Sequence, residues 1–484
     1  MLKSGAMGKV GVYIQVPFCQ TKCTYCNFHT GVVSARRFAP YAVAVCQEIR
    51  EHAVLLRAAG VEWREELEAI SQMLQATNQR TSGVETPECA GFCGTAEEAA
   101  EKCRKDSLQG LKPIGYKGFT PGLKPRPPKE TTFPASCEAV PSQEPFTKWL
   151  PERTAAGNIV VDTVYIGGGT PSLLEPALLA DMLRALRETF SCAWEEVTLE
   201  ADPETIEAEK AAQWVAEGIN RISLGTQSFL DEELKAGGRL HRREDIYRAV
   251  PILRDAGIRN ISFDLIAGLP KQTRESWRRS LDELAALSPE HVSVYMMEID
   301  EGSRLGLEVL RGGTRYSARD MPSEDEMAEF YETAQAFLMA AGYEQYEISN
   351  WAKPGFASRH NLKYWRREAY LGFGAGAHSF SGAQRWANRH DAADYVAAIS
   401  ARRSAVESVE RVTREQALEE ELFLGLRQLG GIDLPRIQRE YSVNLEEKVG
   451  RLASAGMIER EGELVRLAAG KLSVSNEVIV ELLR

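Results

Sequence analysis

Short apolar runs alternate with amphipathic stretches through much of this chain. The segment Val10-Gly11-Val12-Tyr13-Ile14-Gln15-Val16 reads as a first buried strand, and a helical pattern follows from Phe38 to about Arg57. Further strand-like runs lie at Thr163–Ile166, Glu196–Leu199, Arg221–Leu224, Asn260–Leu265 and His291–Met297. Between them apolar residues recur at helical spacing near Leu178–Phe190, Glu207–Glu217, Arg243–Ala256 and Arg274–Leu287. With the first strand this makes six β/α units, which predict a parallel sheet with right-handed crossovers. The expected fold class is α/β, a partial (β/α)6 barrel. An open doubly wound sheet is the alternative.

The pattern breaks between the first helix and the second strand. Residues 60–158 fit no regular element well past Gln79, and ten of the 21 prolines fall between Pro87 and Pro151. Such density forbids long helices and central strands. The segment is expected to be a poorly ordered insertion, hanging off a barrel made of residues 1–59 and 159–403. It carries Cys89, Cys93, Cys103 and Cys137, whose spacing matches no metal site and which read as free thiols.

Residues 404–484 read as a separate small unit. Helical patterns at Glu415–Leu429, Pro435–Tyr441 and Glu446–Ala455 precede a hairpin of Met457–Arg460 with Leu464–Leu467, an arrangement resembling a winged helix. From Glu407 onward this unit carries 15 acidic and 11 basic residues, which favours packing or docking over DNA binding.

Composition narrows the class. At 484 residues the chain has room for about two or three domains. No run of about 18 apolar residues exists, so no transmembrane segment is expected. Met1–Lys9 lacks the apolar centre of a secretory signal. A net charge of −11 without a lysine or arginine block argues against nucleic acid as a partner. Nine cysteines in such a chain read as metal ligands or spectators rather than disulfides, and a cytoplasmic, reducing setting is expected.

Three of those cysteines carry candidate chemistry. Cys19, Cys23 and Cys26 are spaced C-x3-C-x2-C directly after the first strand. A zinc or complete four-cysteine cluster site takes four protein ligands. Three thiolates in one loop suggest a [4Fe–4S] cluster with one iron open to a substrate or cofactor. A zinc site completed by His29, or unligated buried thiols, are the alternatives the spacing leaves. The loop's place at the C-terminal end of a first strand is where an α/β barrel builds its site.

The second strand ends in Gly167-Gly168-Gly169-Thr170-Pro171, whose glycines would let a ligand approach the backbone. Polar residues recur at the other strand ends: Glu200 and Asp202, then Gln227, Asp264 and Glu298, with Arg239 in the loop region after Gln227. Each alone fits a cap or turn. Together they suit a zwitterionic, ribose-bearing ligand at the rim of a parallel sheet.

These motifs resemble the radical S-adenosylmethionine (SAM) enzymes, and among them the oxygen-independent coproporphyrinogen III oxidase family. The likeness covers most of the chain outside the insertion. It rests on the cysteine loop, on Gly167–Pro171, on Leu199–Pro203, on Ser223–Phe229 and on Phe263–Pro270. It implies a [4Fe–4S] cluster on Cys19, Cys23 and Cys26, with SAM on the open iron. It also implies SAM contacts from Tyr13, Gly168, Gly169, Thr170, Glu200, Gln227, Arg239 and Asp264, and from Glu298 and His378. The reduced cluster would cleave SAM to a 5′-deoxyadenosyl radical.

Within that family the oxidases carry a fourth cysteine two residues after the third, where this chain has Phe28, and a long extension where only 18 residues precede Cys19. The Asn27-Phe28 ending is similar to the HemW subgroup, regarded as haem chaperones. His360-Asn361-Leu362-Lys363-Tyr364-Trp365 matches the H-N-x-x-Y-W signature linked to haem there. His360 would be an axial ligand, and Tyr364 and Trp365 would offer flat apolar faces. His378 is a second candidate for haem. A structural histidine beside an aromatic core is the reading from residues alone. The resemblance thus implies a haem chaperone, with haem, haem-accepting proteins and an electron donor as partners. A coproporphyrinogen oxidase, or a radical SAM enzyme with another substrate, are the alternatives.

Overall fold

A computed structural model of the chain describes residues 8–27, 30–61 and 159–483. Strands β1 (Gly8–Val16), β2 (Ile159–Gly168), β3 (Ser191–Ala201), β4 (Arg221–Gln227), β5 (Asn260–Ala267) and β6 (His291–Met296) pair in sequence order, each parallel to the next. The order never reverses across these six strands, so the switch point of a doubly wound sheet is absent from them. The partial barrel is the architecture of the two.

Helices α1 (Phe38–Ala58), α2 (Pro176–Thr189), α3 (Ala208–Ala216), α4 (Arg243–Ala256) and α5 (Arg274–Leu287) connect these strands. The last two have the bounds the periodicity predicts, and local chemistry explains why. Helix α4 stops where Gly257 takes a left-handed φ of 105°. Helix α5 starts where Thr273 Oγ1 accepts the Ser276 N–H at 3.2 Å.

Strand alternation sorts the side chains. Val12, Ile14, Val164, Val197, Ile222 and Phe263 belong to the apolar core and are fully buried. The alternate positions include Tyr165, Glu200, Arg221, Ser223, Asp264 and Ser293, and these line an internal cavity. The barrel is thus apolar under its helices and polar inside.

The sheet runs well past the six strands. After α6 (Glu324–Ala340), β7 (Glu344–Glu347) and β8 (Asn350–Ala352) add to β6 in antiparallel fashion. Helix α7 (Arg359–Trp365) leads to β9 (Tyr370–Phe373), which pairs parallel with β1 on its free side. Strands β10 (His378–Phe380) and β11 (Gln384–Asn388) follow, then α8 (Ala392–Ser400) and β12 (Val406–Arg411). The twelve strands form one sheet, in the order β12-β11-β10-β9-β1-β2-β3-β4-β5-β6-β8-β7. Strand β12 falls inside the segment 404–484, yet its backbone pairs with β11 in this large sheet.

Beyond Thr413 lie α9 (Arg414–Arg427), β13 (Ile432–Asp433), α10 (Leu434–Tyr441), α11 (Glu446–Ser454), β14 (Ile458–Glu461), β15 (Leu464–Leu467) and α12 (Ser475–Leu483). Thr413 and Gln416 exchange a capping box, which sets the start of α9. The expected hairpin gains β13 as a third strand. The expectations for residues 62–158, with Cys89, Cys93, Cys103 and Cys137, and for Phe28 and His29, lie outside the described residues.

Candidate functional site

The C-terminal ends of the barrel strands open on a cavity of about 460 Å³. Its wall contains Cys19, Cys23 and Cys26, with Gly168, Gly169, Thr170, Glu200, Gln227, Arg239, Asp264 and Glu298. The fold therefore gathers residues separated by up to 342 positions into one wall (Cys19 to Asn361, 361 − 19).

The cysteine loop is pinned from two sides. The Thr24 N–H donates to Gly237 O at 3.0 Å, just past a short helix Asp231–Ala236. Thr24 O accepts the Leu305 N–H at 2.8 Å, and Asn27 Nδ2 donates to Asp300 at 2.9 Å. The glycine run holds the root of the same loop. Gly169 N donates to Val16 O at 2.8 Å and Thr170 N to Phe18 O at 2.7 Å. A Cβ on Gly169 would sit 2.4 Å from Phe18 O. On Gly168, whose φ is +111°, it would sit 2.3 Å from Gln15 Nε2. Phe18, at the root of the cysteine loop, is what approaches Gly169, and the Gln15 side chain of β1 is what approaches Gly168.

The donor set fits an iron–sulfur cluster better than a single ion. Among the described residues no three cysteine, histidine or carboxylate groups close on one metal ion. The three thiols instead border a cavity wide enough for a larger group. Burial pushes the Cys19 thiol up, so an adjacent cation is what would hold it as a thiolate. Arg239 Nη1 donates to Cys23 Sγ at 3.5 Å, a contact that suits an anionic sulfur.

Around this loop the strand-end residues form a ring of separate hydrogen-bonded groups on the cavity wall. Glu200 accepts from Gly168 N at 2.8 Å and from the Tyr165 hydroxyl at 2.9 Å. Burial nevertheless raises its carboxyl to about 7. Thr170 Oγ1 donates to Asp202 Oδ2 at 3.0 Å, and Arg239 pairs with Oδ1 of the same carboxylate. Asp264 accepts from Ser223 Oγ at 3.0 Å and is likewise pushed up by burial. Gln227 adopts φ 59° where the β4–β5 register shifts, which turns a strand end toward the cavity.

Two of the expected SAM residues stand apart. Tyr13 is absent from the cavity wall and stacks behind it on Tyr165, with ring centroids 6.0 Å apart. His378 is exposed on β10, its ring 6.4 Å from that of His390, and the structure does not bring it to the cavity.

The haem signature forms α7 and packs inward. His360 is 0% exposed. Its Nδ1 bonds Thr163 Oγ1 at 3.0 Å and its Nε2 bonds the Tyr364 hydroxyl at 2.8 Å. Burial lowers its pKa to about 3, keeping the ring neutral. Tyr364 meets Tyr370 edge-on at 4.6 Å, and the Arg427 guanidinium lies 5.2 Å over the Trp365 ring. Axial ligation by His360 therefore requires release of one of its two bonds.

Sequence reading left Tyr165 and Arg221 out of the site, and placed Asp202 at its rim without naming it a SAM contact. Their signal was available: all three share the inward alternation of residues already singled out on β2, β3 and β4.

Residues 152–284 match the Radical SAM superfamily model and residues 412–469 the HemN C-terminal domain model. Over 323 residues the chain is 36% identical to the heme chaperone HemW of Bacillus subtilis, covering 65% of this chain and 84% of that protein. The chain belongs to the HemW family. A second HemW relative, from Lactococcus lactis, is 32% identical over 326 residues, covering 66% of this chain and 84% of its own length. The fold itself is that of the E. coli radical SAM enzyme coproporphyrinogen III oxidase (HemN), with TM-score 0.68 at 19% identity over 99% of this chain and 90% of that one. HemW membership thus agrees with Phe28, where the oxidases carry a fourth cysteine.

Proposed function

We propose that this chain is a radical SAM-type haem chaperone. It would hold a [4Fe–4S] cluster on Cys19, Cys23 and Cys26, bind SAM beside it, and bind haem for delivery to acceptor proteins in the cytoplasm. The observation that carries the reading is 36% identity to a heme chaperone across 84% of that protein. The cavity wall supports it, because the cysteines and the expected SAM residues other than Tyr13 and His378 share it. Among the described residues no helix is long and apolar enough to cross a membrane.

The chain's own groups divide the work. Thr170, Glu200, Gln227 and Asp264 present donors and acceptors for the amine, carboxylate and hydroxyls of SAM, and Gly168 N fixes Glu200 for that task. Arg239 balances Asp202 and the thiolate of Cys23. When bound, the cluster would supply electrons, drawn from a donor protein, for reductive chemistry on SAM. Haem would engage α7, with His360 as ligand and Tyr364 and Trp365 against the ring. That engagement demands local movement, since His360 is enclosed.

Anaerobic reconstitution with iron and sulfide, followed by haem titration and coproporphyrinogen turnover, tests the reading. Stoichiometric haem binding with transfer to apo-acceptor, and no porphyrinogen oxidation, is the expected result. Efficient conversion to protoporphyrinogen sinks it. Cys23→Ala should abolish the cluster absorption, whereas Cys93→Ala and Cys192→Ala should leave it intact.

A further inference from the structure

The barrel floor holds a charge that the ring at the strand ends does not use. Arg221 opens β4 and faces inward in register with Ser223 and Gln227, and all three line the cavity. It is 1% exposed. Among the described residues, neither its Nε nor its Nη1 has a hydrogen-bond partner. A guanidinium cannot shed its proton; burial opposes that charge and the field of Glu196 and Asp264 more than offsets it, although nothing is hydrogen-bonded to Nε or Nη1.

The acids in its field are committed elsewhere. Glu196 accepts from Ser358 Oγ at 3.2 Å, Arg359 N at 3.0 Å and His360 N at 3.0 Å, which caps α7. Asp264 accepts from Ser223 and Ser262. His291 bonds Ser262 Oγ and the Tyr346 hydroxyl, both at 2.8 Å. Burial and the Arg221 charge keep the His291 ring neutral, and burial, then the charges of Lys363 and Arg221, do the same for His360. Among the described residues, Arg221 thus keeps Nε and Nη1 unbonded on a floor whose acids and histidines are engaged elsewhere.

We propose that Arg221 anchors a subsite for a ligand carboxylate on the barrel floor, beneath the strand-end ring. The charge pattern selects the ligand class. One guanidinium beside Asp264 and Glu196 offers a single positive charge, which suits a monoanion better than a phosphate dianion. Asn361 lines the same cavity and its amide can donate to a small polar carboxylic acid, while the Ser223 hydroxyl is already donated to Asp264. The barrel then takes two ligands, one at the cysteine loop and one on the floor. The subsite is independent of haem.

The test is thermal unfolding of the full reconstituted chain titrated with sodium propionate, against sodium chloride at equal ionic strength. Propionate should raise the Tm saturably. Arg221→Met should abolish that response and lower the Tm without propionate, because Glu196 and Asp264 lose the charge that offsets them. Arg221→Lys should weaken the response roughly tenfold in apparent affinity. The cluster absorption should be the same in all three proteins. A wild-type chain that does not respond saturably overturns the proposal, as does an Arg221→Met chain that responds like wild type. Phosphate matching propionate overturns the carboxylate assignment. Should Arg221→Met not fold, an unaltered response in Arg221→Lys is decisive against it.

Discussion

Arg239 donates to Cys23 Sγ across 3.5 Å, although the two residues lie 216 positions apart in the chain. The same guanidinium is paired with Asp202 and reaches Gly225 O at 3.0 Å. One side chain thus ties the cysteine loop to the ends of β3 and β4. Its side chain is 11% exposed and that of Asp202 21%, so the pair is screened from water on most sides. Arg239→Met would leave the Asp202 charge without its partner, at a cost of about 3 kcal/mol in unfolding free energy. Adding Asp202→Asn should recover much of that loss in urea titrations. Strictly additive effects would show that the pair is not coupled.

The glycine run makes a steric prediction. Gly169→Ala places a methyl 2.4 Å from Phe18 O, a backbone atom that cannot swing aside. The root of the cysteine loop must shift, at a cost of roughly 1–3 kcal/mol. Cluster incorporation, read as iron content after reconstitution, should fall well below wild type. Gly312→Ala meets nothing within 4 Å, though its φ of +66° makes it the control for backbone strain alone. Equal iron content in the two variants would refute the steric role of Gly169.

Three carboxyls pushed up to about 7 by burial shape the pH dependence of stability: Glu204, Glu200 and Glu48. Glu200 and Glu48 are each raised from 4.5 to about 7, burial being the first cause in both. Glu48 accepts from Tyr395 at 2.6 Å, Gly374 N at 2.8 Å and Asn388 at 2.6 Å, which only partly offsets that burial. A folded-state pKa above the unfolded value means that the native chain retains the proton longer. Stability therefore falls as pH rises from about 4.5 to about 7, by on the order of 3 kcal/mol for each group, and levels off above. Glu48→Gln removes a titrating group with little change of shape. Its unfolding free energy should decline less between about pH 5 and pH 7 than that of wild type. Parallel profiles for the two proteins would contradict the assignment.

Haem ligation by His360 competes with the Tyr364 hydroxyl for Nε2. Tyr364→Phe frees that nitrogen by removing a bond worth about 1 kcal/mol, so haem affinity in a Soret titration should rise about fivefold. An unchanged affinity and spectrum would place the haem away from His360. Thr163→Val acts on Nδ1 instead and should lower stability without tightening haem, since Thr163 is buried in β2.

Much of the barrel was legible in the sequence because its strands carry a strict physical signature. Val12, Ile14, Val164, Val197 and Ile222 are fully buried on the core side of their strands, and the intervening helices have ordinary caps. The later strands β7 to β12 were not legible. Most are only three to six residues long, and the exposed residues of β12 follow no two-residue alternation. They exist because the edges of the large sheet offer unpaired backbone, a property of the assembled fold.

The sequence by itself determined the chemistry on offer: three thiols in one loop, a glycine run, polar strand ends, and Phe28 where an oxidase has cysteine. These are local, since ligand type and backbone freedom are written in residue identity and spacing. Only the tertiary structure decided how they are used. Gly169 makes room for Phe18 at the root of the cysteine loop, as the 2.4 Å clearance there shows. His360 has both nitrogens engaged, whereas Arg221, a strand residue with no motif to mark it, keeps Nε and Nη1 unbonded inside the barrel. Whether a polar group is satisfied depends on partners brought from distant parts of the chain, and spacing carries no record of them.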